Sequence, residues 1–237
     1  LHGTGVVQNP KETYSDDVVK RLALAEKSDT TVRIVGPEDF GKATKKGPNG
    51  WLTWRIKADN VRDVAWLATR SSIWDGARTP VGDRNNDGKT DFAMCYSFWR
   101  PTAFRWGRSV EYTQKSIKFL SEFTDLPYPW PHMTAVEADK IIGGGMEYPM
   151  MTLIGGYNNA SDLGLFGVHA HEEAHMWVPM IVNVDERRYG WMDEGTTSFH
   201  TDEAMRSIIP DSSQPKPESR FAGYVDLARQ EGEGEIM

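Results

Sequence analysis

The chain has a single cysteine, Cys95, among its 237 residues. No disulfide can form within it, so cysteine usage does not report a redox compartment. No apolar run approaches the roughly 20 residues that a membrane-spanning helix needs. A secretory leader is absent too, although the chain begins at Leu1 rather than Met, so that absence excludes little. Basic charge is in deficit: 27 Lys and Arg stand against 34 Asp and Glu, a net charge of -7. Pairs such as Lys45-Lys46 and Arg187-Arg188 are too short to make a basic patch. With nothing to offset phosphate charge, nucleic acid and anionic membranes are poor partners. Internal repeats and long low-complexity tracts are lacking as well.

What remains is the composition of an ordinary globular protein, 39% apolar and 26% charged. Nine Trp, nine Phe and eight Tyr supply material for a core. The length suits one large domain or two small ones. Ser15 can cap a helix over Asp16 to Glu26. Residues 31–35 alternate as a short strand does, and residues 41–50 read as a loop rich in Gly and Lys. Trp51 to Ile56, Val64 to Thr69 and Phe92 to Trp99 are three further candidate strands. Residues 82–91 form a strong turn signal before the last of them.

The period then changes. Val110, Ile117, Leu120 and Phe123 recur at helical spacing over Ser109 to Phe123. Pro127, Pro129 and Pro131 stop that helix. Met133 to Val136 and Met150 to Ile154 read as strands on either side of Gly143-Gly144-Gly145. A helix is expected from Ser161 or Asp162 to about Trp177, and another from Asp193 to Ile208. Residues 210–219 carry three prolines and read as a loop. Strands in the first half and helices in the second predict an α+β fold, with a boundary near residues 100–110.

Residues 171–175 are His-Glu-Glu-Ala-His, a match to H-E-x-x-H. On a helix, positions i and i+4 share one face, so two imidazoles can reach one metal ion. Glu172 lies about 100° further round. From there its carboxylate can take a proton from a water on the metal, which zinc acidifies toward a pKa of roughly 7. A catalytic zinc site needs a third protein ligand. Glu194, in Trp191-Met192-Asp193-Glu194-Gly195, follows His175 after the eighteen residues 176–193. The next helix can fold back and aim it at the histidines. The bland alternative is a solvated helix face with ordinary histidines. His169 points to another side of the helix, and His2, His132 and His200 lack ligand-like spacing, so all four are read as structural.

This pattern resembles the gluzincin metallopeptidases. Gly144-Gly145-Met146-Glu147-Tyr148, 25 residues ahead of Glu172 when counted from Glu147, resembles the Gly-Ala/Gly-Met-Glu-Asn signature of the M1 zinc aminopeptidases. That is the family of aminopeptidase N and leukotriene A4 hydrolase. The similarity spans about residues 109–205. It implies a β-rich region over 1–105, the tail of a β-sheet domain, and part of a thermolysin-like catalytic domain over 106–237. It also implies that Glu147 binds the substrate's free amine, and that Gly144, Gly145 and Met146 hold the peptide backbone along an edge strand. Tyr148 stands where the family has Asn, which leaves specificity open. The family's oxyanion-stabilising Tyr lies well downstream of the zinc Glu. Tyr224 is only 30 residues past Glu194, which is too near, so the chain is read as a fragment. The compartment stays open, with a secreted or periplasmic setting favoured over cytoplasmic. So does the oligomeric state.

Asp83-x-Asn85-x-Asp87-Gly88-x-x-Asp91 resembles the start of a calcium loop, but Met94 stands where an EF-hand has Glu. A polar turn between strands is the preferred reading, with a calcium ion as the lesser one. For the whole chain the reading is a zinc aminopeptidase acting on peptides. Its rivals are a thermolysin-like endopeptidase and a peptide-binding homologue that has lost catalysis.

Overall fold

The computed structural model describes residues 1–209 together with 222, 225 and 226. Helix α1 spans Asp16–Ala25. Its start follows from the side chain of Ser15, which accepts from the Val18 amide at 3.4 Å, and from Asp16 and Asp17 facing the positive end of the helix dipole. Strand β1 (Val32–Val35) follows, then β2 (Ile73–Gly82) and β3 (Asp91–Trp99). Helix α2 (Ser109–Phe123) precedes β4 (His132–Glu137), β5 (Gly145–Tyr148) and β6 (Met151–Ile154). Helices α3 (Asp162–Ala174) and α4 (Thr196–Ile208) complete the described elements that position the site.

The strands form one six-stranded mixed sheet in the order β1-β2-β3-β4-β6-β5. Neighbours pair antiparallel except at β3–β4 and β4–β6, which are parallel. Helices α2 and α3 cover one face. Val110, Ile117 and Leu120 of α2 are buried, as are Leu165, Phe166 and Ala170 of α3. Each large side chain so buried contributes about 1.5–3 kcal/mol. The fold is α+β, as expected. The sheet does not break near residues 100–110: β3 from before that point pairs directly with β4 from after it. Backbone pairing thus joins strands before residue 100 and strands within residues 132–154 in one layer.

Two expected strands shrink to fragments. Of residues 51–56 only Ile56 is in a strand, Ile56–Lys57, and of 64–69 only Trp66–Leu67. Trp51, Val64 and Trp66 are exposed. Trp54, Ala65 and Leu67 pack on the core around Trp74 and Tyr96, but strand geometry survives only where the two-residue strands His2–Gly3 and Val6–Val7 offer a partner.

Two histidines outside the motif, His2 and His132, are buried against the sheet. His132 Nε2 donates to the Gly5 carbonyl at 2.8 Å. Its Nδ1 is therefore the acceptor, for the Thr134 hydroxyl at 3.0 Å, and Thr134 accepts from His2 Nε2 at 2.9 Å. Both rings are neutral, as the structural reading of them requires. Burial pushes the pKa of His132 down to about 4, and that of His2 well below its ordinary value. The unfolded chain takes up a proton near roughly 6.5, the folded chain only near 4. The stability that His132 contributes is thus whole above pH 6.5 and is lost as pH falls toward 4. Melts of the full-length protein and of His132→Gln are expected to differ most at pH 7–8, by on the order of 5 °C. The gap should narrow by pH 4.5; a gap that widens in acid contradicts this account.

Candidate metal centre

Helix α3 starts where the Ser161 hydroxyl accepts from the Gly164 amide at 3.1 Å, and it places His171 and His175 on one face. Their rings lie 4.9 Å apart between centroids. The chain then turns through Met176–Ile181, with non-helical backbone at Val178, and returns by the turn Trp191–Gly195 into α4. The two helices run antiparallel, which the contacts read out turn by turn. Thr197 meets His175 and Thr201 meets His171, while the Met205 methyl lies 3.6 Å from where a Cβ on Gly167 would be.

These contacts fix which imidazole nitrogens are free. The Thr201 hydroxyl donates to the Thr197 carbonyl at 2.7 Å, so its oxygen accepts from His171 Nδ1 at 3.3 Å. The Thr197 hydroxyl donates to the Val178 carbonyl at 3.1 Å, so its oxygen accepts from His175 Nδ1, also at 3.1 Å. Asp193 Oδ1 lies 2.8 Å from the same Nδ1. Both rings thus carry their proton on Nδ1 and present the Nε2 lone pair.

Glu194 faces those lone pairs. Its Oε2 is 3.1 Å from His171 Nε2 and 3.7 Å from His175 Nε2. Ligands about 2.1 Å from a tetrahedral ion sit roughly 3.3 Å from one another, so this spacing suits a shared ion. A second group, Glu147, His175 and Asp193, also has its ligand atoms within 4.8 Å of one another. Within it Asp193 lies against the Nδ1 side of His175, the side that carries the proton. The structure brings together His171, His175 and Glu194, as the sequence motif implies.

Glu172 lies against the edge strand of the sheet. A Cβ on Gly145 would fall 2.1 Å from Glu172 Oε1, so any larger residue there would push the Glu172 carboxylate out of this position. Its other oxygen, Oε2, is buried and has no hydrogen-bond partner. Burial first, and then the charges of Glu147, Glu194, Glu173 and Asp193, push the Glu172 pKa up to about 8. Burial raises the Glu147 carboxyl too, against the pull of His175. The same causes lift Asp193. His171 is lowered by burial and by its neighbour His175. Four carboxylates around an unpartnered oxygen make an arrangement that a divalent cation relieves.

The rest of the signature sits on β5. Glu147 pairs in register with Thr152 of β6, and Met146 with Leu153. The Met146 carbonyl accepts from the Thr152 hydroxyl, and the Gly144 carbonyl from the Gly155 amide, both at 2.9 Å. Over residues 108–229 the chain matches the family model described as the Peptidase family M1 domain. The chain belongs to the M1 peptidase family. Aminopeptidase N of Plutella xylostella is 27% identical over 112 residues, 44% of this chain and 12% of that protein. Aminopeptidase M1-D of Oryza sativa subsp. japonica is 29% identical over 106 residues, 41% and 12% of the two chains. Aminopeptidase M1-C of the same plant is 26% identical over 107 residues, 40% and 12%. The matched stretch is thus about an eighth of the length of these M1 relatives.

Other expected features resolve as follows. His169 is a packing residue, buried between the Ser109 hydroxyl and the Leu165 carbonyl. In the loop after β2, Asp83 accepts from the amides of Asn85, Asp87 and Gly88, and Asp91 accepts from that of Arg84. Those carboxylates are engaged by the loop's own backbone, as in a polar turn. Tyr224 and the expected loop at 210–219 lie outside the described residues. No helix among the described residues is long and apolar enough to cross a membrane. Sequence reasoning gave no role to Asp193, Thr197 or Thr201. The signal was present in the spacing: Thr197 and Thr201 are four apart, matching His171 and His175 on the facing helix.

Behind the motif, Glu173 is wholly buried against α2. Thr113 and Ser116 draw its pKa down, but burial dominates and raises it to about 8. Neither of its oxygens is in a well-formed hydrogen bond. Its contribution to stability is whole below the unfolded value of roughly 4.3 and is lost as pH rises through about 8. Glu173→Gln, neutral at every pH, is expected to gain Tm relative to the native protein between pH 5 and pH 9, by roughly 5 °C. Thermal melts at the two pH values check this, and a Tm difference that does not change with pH contradicts it.

Proposed function

We propose that this chain carries the metal-bearing core of a zinc-dependent aminopeptidase, which removes single N-terminal residues from peptides. The observation that supports it most is the fixed pair of Nε2 lone pairs facing Glu194. Two imidazole nitrogens and one carboxylate oxygen are the ligand set of a hydrolytic zinc site, so His171, His175 and Glu194 would hold the ion. Bound zinc supplies Lewis acidity, which makes water a stronger acid and a carbonyl more electrophilic.

The chain's own residues do the rest. The Glu172 carboxylate, one residue along α3 from His171, accepts the proton of the attacking water. When the C–N bond breaks, Glu172 returns that proton to the leaving amine nitrogen. Glu147, two residues along β5 from Gly145, accepts hydrogen bonds from the substrate's terminal ammonium. Strand β5 lies at the end of the sheet order, so its outer edge can pair with an extended peptide. An amine anchor close to the base allows room for one residue before the scissile bond, which is what makes the enzyme an exopeptidase. A secreted or periplasmic setting goes with this reading.

The test is turnover of aminoacyl-amides by the full-length protein, with and without chelator, beside Glu147→Ala. Chelator-sensitive release of single N-terminal residues is expected. Loss of a charged hydrogen-bonding partner should lower kcat/KM in Glu147→Ala by roughly 10–100-fold. Chelator-sensitive cleavage of amine-blocked peptides, indifferent to Glu147→Ala, would instead establish an endopeptidase.

A further inference from the structure

A cavity of about 200 Å³ lies on the face of the sheet turned away from the metal centre. Cys95 of β3 packs on Val110 of α2, so Tyr96, the next residue, points to the opposite side. There Tyr96 joins His2, Tyr14 and Trp74 in lining the cavity. None of them belongs to the group of His171, His175 and Glu194. The rings are inclined to one another and so wall the space from several sides. Tyr96 meets Trp74 at 66° and Tyr14 is tilted 48° to Trp74, with centroids 5.6 and 5.4 Å apart. His2 meets Tyr96 at 79°. Engineered cavities of about 150 Å³ take a benzene-sized guest, so this one suits a compact group with a short tail.

The charge of the wall is one-sided. Its one charged residue is Glu26, exposed at the C-terminal end of α1. No Lys or Arg forms an ion pair with Glu26 among the described residues. The next residue, Lys27, is exposed and lies outside the wall. The last turn of α1 holds no basic residue, so the negative end of the helix dipole adds to the Glu26 charge. His2 and His132 are neutral and do not offset it. The Tyr96 phenol feels that charge: burial and then Glu26 raise its pKa. Other acceptors in the wall are committed. The Gly5 carbonyl is taken by His132 at 2.8 Å, and the Val6 carbonyl by the Gln8 side chain at 2.9 Å. A primary ammonium brings three N–H groups that each need an acceptor. A quaternary ammonium brings none, and is held by aromatic rings and one opposite charge.

We propose that this cavity is a second binding site, separate from the metal centre, for a small trimethylammonium compound of the size of choline. Its methyl groups lie against the rings of Tyr14, Trp74 and Tyr96, and Glu26 supplies the counter-charge at the mouth.

Equilibrium dialysis of the full-length protein tests this with three probes: choline, ethanolamine, and the neutral isostere of choline in which carbon replaces the nitrogen. Choline is expected to bind roughly tenfold or more tightly than either of the others. Glu26 is exposed, so Glu26→Gln leaves the core intact. That variant should lower choline affinity roughly tenfold and bring it level with the isostere. Tyr96→Phe keeps the ring and should leave choline affinity within about twofold of the native value. Chelator should not change choline binding. Failure to retain choline, equal affinity for the isostere or for ethanolamine, or a Glu26→Gln variant that binds choline as the native protein does overturns the proposal. So does choline binding that disappears with the zinc, because that places the ligand at the metal centre.

Discussion

The close stacking of strand β5 on helix α3 is the constraint from which the site follows. Glycine at position 145 lets the Glu172 carboxylate lie against the strand, where any Cβ would displace it. That contact sets the edge of the sheet, and Glu147 with it, beside the helix that carries both histidines. It also removes Glu172 from water on one side and leaves its Oε2 without a partner on the other. A carboxylate held in that way costs stability unless its neighbours or a bound cation compensate. The raised pKa values of Glu147, Glu172 and Asp193 record that cost.

The second constraint is the antiparallel packing of α3 on α4. Metal affinity depends on imidazoles that do not need to turn when the ion arrives. Here each Nδ1 is claimed by a threonine hydroxyl whose own proton is already committed, and His175 has Asp193 as well. Glu194 and Asp193 are adjacent in one turn, yet one faces Nε2 of His175 and the other Nδ1. The Asp-Glu-Gly turn thus sets one carboxylate on each side of the His175 ring.

Much of this was legible in the sequence, and the limits have physical causes. The histidine pair, Glu172 and Glu194 stand at spacings that helix geometry alone interprets. Ser15 and Ser161 mark helix starts because a cap is a local interaction. Strand β2 was missed because Asp75, Gly76 and Pro80 interrupt its pattern. Each is explained only by distant partners. Asp75 is met by Arg33 and Trp99, Gly76 lies under Tyr96 and Ile34, and Pro80 sits at a register shift. Residues 51–56 failed in the opposite way: their β-forming side chains are real and Trp54 packs on the core, but only Ile56 finds a strand partner, at Val7.

The central claim is that His171, His175 and Glu194 hold one zinc ion through Nε2, Nε2 and a carboxylate oxygen. Anomalous diffraction at the zinc edge, from crystals of the full-length protein grown with zinc, tests it most directly. The account predicts a single strong peak between those three atoms, with Glu172 beside it and outside the ligand set. A peak between Glu147, His175 and Asp193, or none on α3, would contradict it.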